Sequence, residues 1–480
     1  MSDANFPIVA KPITKGERAL TGSGQGELLE LSPFDLANAN PLATRARYFN
    51  VSSTIPELIE VLPPDLVRQE LANRCAEKSL TLSEAEPHIK IAALNAFFDG
   101  FSPIDEHVQF ATSVTAAIVE HTKRKRSNPR YERFYYALPH VVNKSQPLPA
   151  RKDYDLLEGR SFILKGVCST GRAAFVKRLR AMYGPPISAE PDMPDAPPGI
   201  WYFPTLTVEL EECESLEDVI ESMRSTFVAE IQDPTFGQKA IFRALKGRDA
   251  KIAAIAACLL LNVGLFILDG ADVEHIGCDF EGILAFAVKL KSYGIPVLLS
   301  CTDAFFRRAS LGSSRTGKAL NGTIVTLRPF KAPDELKGDV VFDDENSDLD
   351  FDEWTSYCVF FWLGGLFGDR SRPMPKGLPA WTYEICMGRI GWLAAGFKAL
   401  HEKLVWCPDT VLTEVFVTSF FEEQLAYCQD ARLALKAAQS NQTVNETDFT
   451  RFMDHFEANA AEQLKFLPTL AIAPRTRARR

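Results

Sequence analysis

Residues 161–184, SFILKGVCSTGRAAFVKRLRAMYG, constrain the fold more than any other stretch of the chain. A short apolar run ends in Gly166, a second glycine comes at Gly171, and apolar residues then recur at helical spacing until Gly184. Strand, glycine-framed loop and helix in that order are the parts of a phosphate-binding loop. In such a loop, backbone N–H groups and a helix N-terminus cradle an anion. The consensus reads G-x-x-x-x-G-K-[S/T]. Gly166 and Gly171 keep its spacing, but Arg172 stands at the lysine position and Ala173 at the magnesium-binding hydroxyl. Arg172 retains a positive charge on a planar, bulkier group, which is not equivalent to the point charge of lysine. Ala173 retains nothing, and the hydroxyls of Ser169 and Thr170 lie inside the loop, aimed elsewhere. Two glycines so spaced also arise by chance, so the loop has to be weighed with the strands and helices C-terminal to it.

From residue 200 to about 302 the chain alternates between strand and helix. IWYFPTLTVEL reads as a second strand, after a Pro-rich connector. Ser215 then caps a helix with Asp218 as reciprocal partner, and Leu216, Val219, Ile220, Met223 and Phe227 form its inward stripe. GLFILDGAD is an apolar strand reaching Asp269, FEGILAFAVKLKSYG is a helix, and IPVLLSCTD is a strand ending at Thr302. Such alternation predicts a mostly parallel sheet covered by helices on both faces, with ligands at the carboxyl ends of the strands. Gly166, Asp269 and Thr302 all fall at such ends. Asp269 has the position of an acid that holds magnesium, and Gly270 replaces the acid that often comes next, near the attacking water. Asp272 and Glu274 are the nearest substitutes. Thr302 has the position of a residue that senses a terminal phosphate. The plain alternatives are an Asp that ends a buried strand and a Thr that fixes a tight turn.

The formal charge of −9 over 480 residues gives no global case for nucleic acid, so any such contact rests on local patches. One is Lys123-Arg124-Lys125-Arg126, with Arg130 close behind; the other is the Arg475, Arg477, Arg479, Arg480 tail. Solvated charge without a partner accounts for either equally well. The run FDDENSDLDFDE reads as an acidic surface loop. The 10 cysteines show no C-x-x-C pair, which suits reduced thiols rather than a zinc site. The most apolar run, Ile252 to Leu268, contains Asn262 and Gly264 and suits a buried helix and strand better than a membrane span. The N-terminus has no apolar core of a signal peptide. A cytoplasmic protein without membrane contact is the expectation.

Five segments are expected. They are an irregular, then helical region over 1–130, an α/β nucleotide-binding core over 131–335, an acidic loop over 336–353, a helical unit over 354–436, and a linker, last helix and basic tail over 437–480.

Taken in order, these stretches resemble the TniB/TnsC-type AAA+ transposition regulators. IWYFPTLTVEL, LFILDGAD and YGIPVLLSCTDAFF match the family's successive core segments, and WTSY, CMGRIGWLAAGFKALHEKL and DTVLTEVF match its lid, over roughly residues 130 to 435. The resemblance implies an AAA+-like P-loop core with a parallel sheet, a helical lid and a mostly helical N-terminal region. It also implies a protein that binds ATP and magnesium, assembles into oligomers on DNA and links target selection to a DDE-type transposase. Arg389, beside Gly388 at a lid helix start, takes the place of a second sensor. Arg307, Arg308, Arg315 and Lys318 are the cations available as an arginine finger, without a clean match. Arg172, Ala173 and Gly270 depart from the family's Lys, Ser/Thr and acid. The expectation is therefore a degenerate member that binds nucleotide weakly or not at all, hydrolyses poorly, and works as a homo-oligomer or beside an intact paralogue. Two alternatives stand against it: a working ATPase with Arg172 and Asp272 in the missing roles, and a P-loop signalling or defence switch.

Overall fold

A computed structural model describes residues 59–72, 84–189 except 129 and 145, 200–310 except 233, 235 and 278, residue 317, 320–336, 351–366, 372–440 and 450–457. The basic tail, most of the acidic run, Arg315 and Lys318 lie outside the described residues, as does the side chain of Arg126.

The described residues begin with four helices: α1 (Pro64–Leu71), α2 (Pro87–Phe98), α3 (Asp105–Ser127) and α4 (Tyr131–Lys144). The α/β unit runs β1 (Ser161–Gly166), α5 (Arg172–Tyr183), β2 (Ile187–Ala189), β3 (Ile200–Glu209), α6 (Leu216–Glu230), α7 (Phe236–Ala244) and α8 (Ala250–Leu260). It continues with β4 (Val263–Ala271), α9 (Phe280–Ser292), β5 (Val297–Thr302), α10 (Asp303–Ser310) and β6 (Thr323–Leu327). The helical unit comprises α11 (Glu353–Gly365), α12 (Leu378–Cys386), α13 (Ile390–Trp406), α14 (Glu414–Gln424) and α15 (Gln429–Gln439).

The sheet order is β2-β3-β4-β5-β1-β6. All neighbours are parallel except β2, a short edge strand hidden in the Pro-rich connector, which pairs antiparallel with β3. Strands buried on both faces read as continuous apolar runs, and β1 and β5 do so. Ile163, Phe203, Phe266 and Leu268 pack on one face with α4 and α6–α9. Phe162, Leu164, Leu265, Ile267 and Leu298 pack on the other with α1, α3 and α5. Part of the first 130 residues is thus a layer of the α/β unit. A separate core around Trp354, Trp362, Trp392 and Phe397 holds α11–α15 together.

The expected cap of α6 is present: Ser215 Oγ accepts from the Asp218 N–H at 3.2 Å, and Asp218 Oδ2 accepts from the Ser215 N–H at 2.9 Å. All five stripe residues are buried. At the C-terminal end the expected linker is helical as far as Gln439, because Ala431, Ala434 and Leu435 bury one face of α15. The expected last helix is, among the described residues, a single turn closed by a 3₁₀ segment over Met453–His455.

Candidate functional site

The strand order sets the site. β5 lies between β1 and β4, so Thr302 sits between the glycine loop and the end of the acidic strand. Gly166 and Thr302 are direct register partners, and Glu209 faces Asp269. Gly166, Asp269 and Thr302 therefore share one crevice at the carboxyl ends of the strands.

Gly166 is required by close approach: a Cβ there would come within 2.4 Å of the Leu327 carbonyl and 3.0 Å of Thr170 Oγ1. The chain then turns with Ser169 (φ 65°) and Gly171 (φ 90°) both left-handed, and the Cys168 N–H within the turn donates into the crevice. Thr170 Oγ1 donates to the Val167 carbonyl at 2.8 Å, so this hydroxyl is committed to shaping the loop. α5 opens at Arg172, which is half-buried, with an Nη1 that has no partner among the described residues. Ala173 adds no polar group. Lys165, directly before Gly166, is tied to Asp303 at 2.8 Å.

Burial pushes the Asp269 carboxyl above its ordinary range, against the opposing pull of Ser300 and the Arg172 charge. The β4–β5 register shifts between Leu268 and Ala271, and Gly270 takes φ 86°. A side chain at Gly270 would be strained, so the backbone favours glycine there. Asp272 is engaged with His275, its Oδ1 lying 2.7 Å from Nδ1, while His275 Nε2 lies 2.7 Å from the Leu210 carbonyl. Burial raises the Asp272 carboxyl, but the His275 hydrogen bond and charge bring it below its ordinary range.

The helical unit reaches the same crevice. Gly391 N–H donates to the Ser169 carbonyl at 2.8 Å. Arg389, at the N-cap of α13, is buried; its Nη1 donates to the Met387 carbonyl at 3.0 Å and its guanidinium lies over Trp392 at 4.9 Å. Burial lowers its pKa to about 10.

One participant carries no sequence signature. Asp454, in the turn closed by the 3₁₀ segment beyond α15, points its carboxylate into the crevice. Thr302 Oγ1 donates to Oδ1, and the Val273 N–H donates to Oδ1 and Oδ2 at 3.3 and 3.2 Å. The Cys168 N–H of the glycine loop donates to the Asp454 carbonyl at 2.9 Å, and Arg389 Nη2 donates to the His455 carbonyl at 2.7 Å. Burial raises the Asp454 carboxyl, opposed by Thr302, Val273 and the Arg172 charge.

The other expected residues are dispersed. Arg307 and Arg308 lie on α10, directly after Thr302. Lys123 and Arg124 are exposed on α3, and Arg124 and Arg160 both pair with Glu120. Lys125 does not share that surface: it is buried, its ammonium over the Tyr131 ring at 5.6 Å. It is therefore withdrawn from any contact with a DNA backbone.

Among the described residues, no helix is long and apolar enough to cross a membrane, and no group of three or more His, Cys, Asp or Glu is placed to hold a metal. The eight described cysteines are free thiols. No protein-family model and no curated protein matches the chain. Solved structures that resemble it include the ORC2 protein of Aeropyrum pernix, in ADPNP–ADP complexes, at 11% identity and TM-score 0.34, covering 69% of this chain and 80% of that one. A Walker-type ATPase of Pyrococcus abyssi matches at 12% identity and TM-score 0.33, covering 63% and 84%. By its own strand order, glycine loop and helical unit, the chain has an AAA+-like α/β P-loop ATPase fold.

Proposed function

We propose that this chain is a degenerate AAA+ regulator of DNA transposition, of the TniB/TnsC type. It assembles as an oligomer on DNA and couples target selection to a transposase, with nucleotide bound weakly and hydrolysed little or not at all. What supports the reading is a glycine loop with the close backbone approach at Gly166 and the left-handed turns at Ser169 and Gly171, followed by Arg172 and Ala173 and not by Lys and Ser/Thr. The loop amides and the Arg172 guanidinium suit a phosphate chain. Magnesium-assisted hydrolysis is poorly served, because Ala173 has no hydroxyl and Gly270 no carboxylate. Lysine and metal supply much of the charge stabilisation in phosphoryl transfer, and their joint loss leaves a binding fold without its catalysis. If ATP bound here, the loop amides and the Arg172 guanidinium would hold its phosphates, and it would supply the negative charge that they receive.

Assembly is supported by apolar surface on the lid, where Trp406, Val411 and Val415 are exposed. DNA contact rests on Lys123 and Arg124, with Arg126 and the terminal arginines as further candidates. In this reading, residues 354–436 form the lid, α15 carries on to Gln439, and Phe456 of the terminal segment packs into the same core.

Two measurements on the purified protein test it. Gel shifts across a salt series should show duplex retained at low salt and released as salt rises, because phosphate contacts displace counterions. Phosphate release with ATP, magnesium and DNA should stay at background. Turnover that disappears in Asp269→Ala would overturn the non-hydrolysing reading in favour of a working ATPase.

A further inference from the structure

We propose that the crevice is a binding site for an acidic peptide turn, and that its resident ligand is this chain's own Arg451–Phe456 segment. The Asp454 carboxylate is the anion received there. This deepens the reading above and rests on it in one respect: only if the crevice is a nucleotide site does the turn compete with nucleotide.

The turn is held from four sides of the crevice. The glycine loop donates Cys168 N–H to the Asp454 carbonyl, the end of β5 donates the Thr302 hydroxyl, and the segment after β4 donates Val273 N–H. The start of α13 donates Arg389 Nη2 to the neighbouring carbonyl of His455. Apolar contacts fix the register: the His455 ring stacks on Trp392 at 5.9 Å between centroids, and Phe456 is buried in the lid core.

A carboxylate is expensive to bury unless donors receive it. Here two donors converge on the carboxylate, a third holds the adjoining carbonyl, and the Arg172 charge lies beside it. Backbone N–H groups of a glycine loop, a strand-end hydroxyl and two arginines are also the groups that receive a phosphate. The Cys168 N–H and the Thr302 hydroxyl each have one proton to donate, and both are given to Asp454, so the turn and a phosphate chain exclude one another at these donors. The apparent affinity for nucleotide then falls by the fraction of molecules in which the turn is released.

The test uses the full chain as wild type, Asp454→Ala and Asp454→Asn, with two readouts. The first is amide hydrogen exchange at Cys168 and Val273, with Ile163 in β1 as internal reference. The second is binding of a fluorescent, non-hydrolysable ATP analogue. Both variants should exchange at Cys168 and Val273 at least ~10-fold faster with Ile163 unchanged, as a local opening does. They should also bind the analogue ~10-fold more tightly, since the competing anion is gone. Unchanged exchange at Cys168 and Val273 overturns the proposal whatever the analogue does. Faster exchange with no analogue bound to any of the three proteins supports the acidic-turn site and overturns the nucleotide reading instead.

Discussion

The two ends of the sheet treat buried polar groups in opposite ways. At the carboxyl end, Cys168 N–H, Val273 N–H, Thr302 and Arg389 all meet the Asp454 turn. At the amino end, beneath Gly159 and Gly294, a cavity of about 280 Å³ is lined by His121, Lys125 and Tyr131. There His121 Nε2 and the Tyr131 hydroxyl are buried without a partner among the described residues. Burial brings Lys125 down to about 7. Both ends thus hold perturbed groups, but only one has donors converging on a single point. In a parallel sheet flanked by helices, N–H donors gather at the carboxyl ends of the strands, which suits an anion. Lys125 instead lies in the last turn of α3, where the helix's negative end offsets part of its cost. Perturbation alone marks burial; convergence marks a site.

The largest expected effect would sharpen that contrast. Lys125→Met keeps the apolar stem and removes the buried charge, and should stabilise the protein by about 2–3 kcal/mol near pH 6. The folded-state pKa of about 7 lies below the ordinary 10.5, so the unfolded chain holds the extra proton between those values. Wild-type stability should therefore climb from pH 7 towards pH 10 relative to the variant, and the gap should close there. Urea midpoints for both proteins across that range are the measurement. A destabilised variant would show that Lys125 is satisfied, and the contrast between the two ends would fail.

The same contrast explains how much of the molecule is legible in its sequence. Gly166 and Thr302 end their strands as read, and Asp269 lies two residues before the end of β4, because apolar runs and helical spacing are local signals and a parallel sheet gathers its carboxyl ends by construction. Asp454 cannot be read in this way, because a lone acid in RFMDHF has no periodicity or motif, and it meets Val273 and Thr302 across 181 and 152 residues. Lys125 departs from the expected basic patch for another reason. Four consecutive residues on an α-helix span nearly a full turn, at about 3.6 residues each. A run such as Lys123–Arg126 therefore cannot lie on one face, and one member has to point inward. β2 is hidden because three residues between prolines carry too short an alternation to read.

A smaller effect would test whether one added acid makes the carboxyl end catalytic. Gly270→Glu places an acid directly after Asp269, but the backbone there holds φ 86°. A side chain in that conformation costs about 1–2 kcal/mol, so the midpoint of thermal unfolding should fall. Phosphate release should remain at background, because Ala173 still lacks its hydroxyl. Turnover appearing in this single variant would mean that the crevice is one acid away from an enzyme.

The smallest effect concerns the His275–Asp272 pair at the border of the crevice. The Asp272 hydrogen bond raises the His275 pKa above its ordinary 6.5, and Asp272 lies below its ordinary 3.8. A raised histidine contributes fully below pH 6.5 and loses its contribution as pH rises through the folded value. The lowered carboxyl contributes above pH 3.8 and loses its share as pH falls through the folded value. The pair is therefore worth most between about pH 4 and 6.5. Asp272 is one-third exposed, so screening holds the gain to about 0.5 kcal/mol. His275→Gln keeps a polar side chain without the charge, and should cost that much at pH 5.5 and less at pH 8. An equal cost at both pH values would mean that His275 serves as a neutral spacer between Asp272 and the Leu210 carbonyl, leaving Asp272 free to take up a proton at the crevice edge.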